Sequence, residues 1–167
     1  THSISLGSKT NLKSALAFSY NNINSNENFL EKNYTFSDTY KDNYKTKKLV
    51  LSTTLNHKFN PKNTLRTGGI MNFISFNYYQ KSKENKNAPL QEVISTKDKT
   101  QTVQLFAQWQ YKPSNKITFN TGFHYLALLY NNTSSIEPRA SVRWDVNKKN
   151  SLALGYGLNS QVQALGI

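Results

Sequence analysis

The residues best suited to chemistry are four charged ones on one short segment, Glu137, Arg139, Arg143 and Asp145. Their even spacing puts all four on one face of an extended strand, about 7 Å between next-but-one neighbours. Two guanidiniums on such a row could hold an anionic ligand, or the same groups could form cross-strand ion pairs that stiffen a sheet. Nothing else in the chain assembles into a site. His2, His57 and His124 are far apart and have neither HxH nor HExxH spacing, so no metal site is expected. Serine and threonine are plentiful but lack a GxSxG turn or a neighbouring His and acid, and the glycines of Leu154-Gly155-Tyr156-Gly157 lack the strand-to-helix setting of a phosphate loop. The carboxylates are too dispersed for a calcium loop. The sequons Asn33-Tyr34-Thr35 and Asn131-Asn132-Thr133 are the chance matches of an Asn-rich chain. With no cysteine, thiolate ligands, disulfides and cysteine nucleophiles are excluded together. The expectation is a chain with no catalytic residue and no cofactor, hence no enzyme.

Composition narrows the partners. The 167 residues carry 18 Lys and 3 Arg against 9 acidic residues, a net charge of +12. Nucleic-acid modules lean on arginine for bidentate contacts, whereas here the lysines gather around 41–48 and 81–99, so nucleic-acid binding is not expected. These stretches could instead meet anionic lipopolysaccharide or an acidic ligand, or simply be solvated. The mean hydropathy of −0.66 and the lack of any run of about 18 apolar residues exclude a transmembrane helix. Ten Tyr and nine Phe argue for an ordered fold.

The elements that would position the charged row are strands. From Glu137 to Val146, Pro138, Ala140, Val142, Trp144 and Val146 alternate with Glu137, Arg139, Ser141, Arg143 and Asp145. Alternation recurs over 102–111, 117–129 and 152–158, and less sharply over 12–20, 48–59 and 65–79. Gly68-Gly69 is read as a bulge that switches the apolar face. Ile4 to Ser8 makes a short first strand, for eight strands and no helix.

Connections alternate between short and long. Lys9-Thr10-Asn11, Asn60-Pro61-Lys62-Asn63, Lys112-Pro113-Ser114-Asn115 and Asn147-Lys148-Lys149-Asn150 read as tight turns, and 21–46, 81–99 and 131–136 as polar loops. Phe59, Trp109, Tyr111, Phe119 and Trp144 flank the short turns, and Tyr20, Tyr44, Tyr78, Tyr79 and Tyr130 lie at the opposite strand ends. Period-two strands, one-sided short turns and two aromatic bands fit an antiparallel up-and-down transmembrane β-barrel, with polar residues lining the lumen. A soluble β-sandwich, such as a carbohydrate-binding module, is the alternative.

With the short turns on the periplasmic side, the first and eighth strands have free ends outside, and the chain stops at Ala164-Leu165-Gly166-Ile167 without a terminal aromatic. The expectation is that residues 1–167 form a partial barrel domain of about eight strands cut from a larger barrel. A small autonomous outer-membrane barrel, structural or adhesive, is the other reading.

The segment IEPRASVRWDVNKKNSLALGYGLNSQ, residues 136–161, closely resembles the barrel of TonB-dependent outer-membrane receptors of the Bacteroidota type, where an EPR strand opening, a Trp near the turn, a Lys/Asn turn and an SLxLGYGxxSQ strand recur in this order. Residues 55–71 and 101–163 share that likeness; the long polar loops and first strand do not. The resemblance implies a 22-stranded barrel plugged by an N-terminal domain, located in the bacterial outer membrane, that imports a scarce ligand with energy from TonB. It implies outer-membrane lipid, TonB, the plug domain, an imported ligand and a surface lipoprotein as partners. The row Glu137, Arg139, Arg143 and Asp145 would then face the lumen, toward the plug or an anionic ligand.

Overall fold

A computed structural model describes residues 1–32, 34–85 and 88–162. Asn33 of the first sequon, part of the 81–99 stretch, Gln163 and the Ala164–Ile167 end lie outside the described residues. The described chain is all-β: β1 (His2–Ser5), β2 (Thr10–Leu30), β3 (Phe36–Asn60), β4 (Asn63–Ser82), β5 (Gln91–Tyr111), β6 (Ile117–Leu128), β7 (Thr133–Asp145) and β8 (Ser151–Gly157). All eight lie in one sheet in sequence order. The pairings β1·β2, β5·β6, β6·β7 and β7·β8 are antiparallel, giving an up-and-down meander. Among the described residues β8 does not pair with β1, so the sheet is open. Among the described residues no helix is long and apolar enough to cross a membrane.

The short turns are built by their own side chains. Asn60 Oδ1 accepts from the Lys62 amide at 2.9 Å and from the Asn63 side-chain amide at 3.1 Å, and Asn147 Oδ1 accepts from the amides of Lys149 and Asn150, both at 2.9 Å. These are Asx-turns, in which a side-chain carbonyl stands in for a backbone acceptor. The first turn differs from expectation: it falls at 6–9 rather than Lys9–Asn11, because Gly7 adopts φ +85°, a left-handed conformation that closes the chain before Lys9.

Two compact units divide the strands. One comprises Thr1–Ala17, Val50–Asn72 and the described residues from Gln101 on; the other comprises Phe18–Leu49 and Phe73–Thr100. Within the second unit much of the expected polar loops 21–46 and 81–99 is strand: β2 runs on to Leu30, β3 starts at Phe36, β4 ends at Ser82 and β5 starts at Gln91. Backbone pairing satisfies N–H and C=O groups whatever the side chains, so a ladder with water on both faces needs no apolar alternation. Its side chains pair polar to polar: Asn43 donates to Asn22 Oδ1 at 3.1 Å and also meets Asn24, Thr39 Oγ1 donates to the Glu27 carbonyl at 2.9 Å, and Tyr44 packs edge-on against Tyr78.

In the first unit, register sorts the two faces. Tyr111, Phe119, Val142 and Leu154 form one cross-strand row, followed by Trp109, Thr121, Ala140 and Tyr156, and by Ala107, Phe123 and Pro138. The opposite face carries Gln110, Asn120, Ser141 and Gly155, then Gln108, Gly122, Arg139 and Gly157, then Phe106, His124 and Glu137. Burial is inverted relative to a water-soluble domain. Among the described residues Ala127 is the one buried apolar side chain, whereas Asn72, Thr100, Thr102 and Glu137 are buried polar ones.

Gly68 and Gly69 do not shift the phase as expected. Arg66 lies over the Phe106 ring at 5.9 Å, a Cβ on Gly68 would come within 2.8 Å of that ring, and the Asn72 amide donates to Thr102 Oγ1 at 2.7 Å. Phe106 and Thr102 share a face of β5, so Arg66, Gly68 and Asn72 keep one face of β4 straight through the pair. Gly68 is there because the Thr53 carbonyl on β3 and the Phe106 ring on β5 leave no room for a Cβ.

Gly122 has a similar constraint from backbone. An added Cβ would collide with the Ala107 carbonyl and lie 3.0 Å from Gln108 Cα, whereas at Gly155 the nearest atom is Ser141 Cβ at 3.5 Å. Gly122→Ala is therefore expected to cost about 1–3 kcal/mol, and Gly155→Ala to stay within about 0.5 kcal/mol of the parent, as read from urea unfolding midpoints by tryptophan fluorescence.

Candidate functional site

The polar face of the first unit converges on Glu137. The β6·β7 register sets His124 directly across from Glu137. One carboxylate oxygen, Oε2, accepts from Arg139 Nη2 at 2.8 Å and from His124 Nδ1 at 3.1 Å. The other, Oε1, accepts from the Ser160 amide at 2.9 Å and its hydroxyl at 2.5 Å. An ionised carboxylate can only accept, so His124 carries a hydrogen on Nδ1, and the far nitrogen, Nε2, lies 3.3 Å from the Gln104 side-chain amide. Glu137 keeps 2% of its surface exposed. A carboxylate that far from water needs such saturation, because each lost donor leaves part of the charge uncompensated.

Arg139, half exposed, is held through one nitrogen. Its Nη2 bonds both Glu137 and Asn159 Oδ1, each at 2.8 Å. Farther along β7, Arg143 Nε donates to Asp145 Oδ1 at 2.9 Å, an exposed pair. The four expected residues thus divide into two pairs running along β7, not across strands: Glu137 with Arg139, and Arg143 with Asp145. Ser141 sits between the pairs and accepts from Asn120 at 3.4 Å.

A hollow of about 690 Å³ lies on this side, with Arg66, Gln108, Asn120, His124, Arg139 and Asn159 among its lining. The groups around Glu137 bond one another across β6, β7 and the segment after β8, so the arrangement holds these parts of the chain together. His57 is occupied separately, by Thr10 Oγ1 at 2.7 Å and by the ring of Phe59. The described residues contain no group of three metal-binding side chains.

His124, Gln104, Asn159 and Ser160 complete a cluster that reading the charged row alone does not reveal. His124 could have been found by counting back from the Asn131-Asn132 turn, where Asn131 Oδ1 accepts from the Thr133 amide and hydroxyl and Asn132 takes φ 55°. Ser160 carries no such signal, since it reaches Glu137 only because the chain leaves the ladder after β8. No protein-family model matches the chain, and no curated protein does.

Removing the Glu137 carboxylate strands Arg139, His124 and Ser160 at once, whereas removing Asp145 frees one exposed guanidinium. Glu137→Ala is expected to lower the thermal midpoint clearly and Asp145→Ala to leave it close to the parent, by differential scanning fluorimetry.

Proposed function

We propose that residues 1–167 form part of the lipid-facing wall of an outer-membrane β-barrel, in a receptor of the TonB-dependent type that imports a ligand. The observation that carries this reading is the bare apolar face of the first unit. Leu154 and Tyr156 are 75% and 70% exposed and Trp109 and Trp144 about half; Leu154 belongs to the apolar row Tyr111, Phe119, Val142 and Leu154 across β5 to β8, and Trp144 to the row Ile117, Trp144 and Leu152 across β6 to β8. A patch of this extent in water is a liability, and in hydrocarbon it is the required surface. Strands β2 to β7 each have a hydrogen-bonded neighbour on both sides, and closure by further strands would satisfy the two edges as well, the condition for crossing a bilayer without a helix.

Other observations support the same reading. Trp109, Tyr111, Phe119 and Trp144 cluster beside the turns at 112–116 and 146–150, where amphipathic rings favour a membrane–water interface. The opposite face is polar and interlocked, as a wet lumen needs. The likeness of residues 136–161 to the receptor family is what selects a TonB-dependent importer over an adhesive or structural barrel, and the open β1 and β8 edges favour a wall completed by further strands. On this reading the partners are outer-membrane lipid and lipopolysaccharide, a plug domain, TonB, the imported ligand and a surface lipoprotein, and no residue performs covalent chemistry.

The two tryptophans are the only ones in the chain, so its indole emission reports this face alone. After reconstitution into vesicles, brominated lipids are expected to quench that emission strongly and aqueous iodide weakly; the reverse, in a chain monodisperse without detergent, would establish a soluble sandwich instead. Leu154→Arg should cost about 2–4 kcal/mol of membrane-folded stability, seen as loss of the heat-modifiable gel band, whereas Gln110→Lys on the other face should retain it.

A further inference from the structure

The β7·β8 ladder ends before β7 does. Its last pair is Arg139 with Gly157, although β7 begins at Thr133. The Leu158 amide still donates to the Pro138 carbonyl at 3.1 Å, and then the chain departs. Continued in register, Ser160 would stand opposite Ile136 with its side chain on the apolar face, and Asn159 opposite Glu137. Instead both donors of Ser160 converge on the Glu137 carboxylate, on the polar face, with Asn159 tied beside them by Arg139. Ser160 has crossed from one side of the sheet to the other.

The local sequence points the opposite way. Leu152, Leu154, Tyr156, Leu158, Ser160 and Val162 alternate with Ala153, Gly155, Gly157, Asn159 and Gln161, a strand pattern that runs five residues beyond the observed end of β8. The edge of β7 at Thr133–Glu137, unpaired with β8 among the described residues, is what those residues would pair with. We propose that residues 158–162 are a two-state element: a strap latched inward by Glu137, and, on release, an extension of β8 that zips onto the free edge of β7. The two states differ by a few hydrogen bonds on each side, the kind of balance a switching segment needs. Glu137 is the latch, because it supplies the acceptor for both Ser160 donors while Arg139 and His124 hold its carboxylate in place. The inference rests on register and hydrogen bonding and stands apart from the membrane reading.

In the extended state Ser135 and Gln161 would face each other as a non-hydrogen-bonded pair, the closer type, suited to a disulfide. The chain has no native cysteine, so Ser135→Cys with Gln161→Cys introduces the sole pair. Disulfide formation under mild oxidation is followed in the folded chain in three backgrounds: parent, Ser160→Ala and Glu137→Gln. The expected order is slow in the parent, faster in Ser160→Ala, and about tenfold faster than the parent in Glu137→Gln, since a hydrogen bond to a charge is lost. Equal rates in all three, or rapid closure in the parent, would overturn the latch. Tryptophan emission identical to the parent confirms that each variant is folded, and Ser160→Ala, which removes one donor but keeps Glu137 with Arg139 and His124, carries the test if Glu137→Gln does not fold.

Discussion

Side chains on a strand alternate, so every residue of this sheet is assigned to one of two faces, and nearly everything else depends on that assignment. In the first unit the alternation holds in phase across β5, β6, β7 and β8, which turns separate apolar positions into continuous rows such as Tyr111, Phe119, Val142 and Leu154. Stability in such a sheet comes from the backbone ladder and from polar contacts on one side. The other side finds no apolar cover within the described chain. A solvent that is itself apolar resolves this, which is why the inverted burial pattern and the proposed location belong together.

The polar side is where individual residues matter. Glycine makes room for what crosses it: Phe106 lies over Gly68, and Gly122 sits against the Ala107 carbonyl. Glu137 gathers three parts of the chain, taking donors from β6 through His124, from β7 through Arg139 and from beyond β8 through Ser160. Its isolation from water and the number of its donors are two aspects of one condition, because a carboxylate withdrawn from solvent persists only where the protein replaces the hydration shell. The exposed Arg143 and Asp145 pair, chemically alike, has no comparable consequence.

Much of the fold was legible. Period two gave the right number of strands, because a sheet with one apolar face writes its orientation into alternate residues, although the first lies at His2–Ser5 rather than at Ile4–Ser8. It failed where that face is missing: Asn21 to Thr46 carries polar residues on both sides, and its strands are held by backbone and amide pairing that leaves no hydropathy signal. The bulge expected at Gly68-Gly69 failed for another reason. A glycine pair marks a need for space, and here the space at Gly68 is taken by the Thr53 carbonyl and the Phe106 ring on the strands to either side. The charged row on β7 was legible as a row, but its pairing along the strand was not, since spacing alone gives side chains a shared face without naming their partners.

By itself, the sequence determined strand positions, the apolar and polar faces of β5 to β8 and the absence of thiol chemistry, because these follow from residue type and from a periodicity that does not depend on what lies next to a strand. Only the tertiary structure decided that Glu137 is the junction of the polar face. That depends on the β6·β7 register, which brings His124 opposite, and on the exit of the chain after Gly157, where two donors from Ser160 prevail over a local pattern that favours continuing the strand.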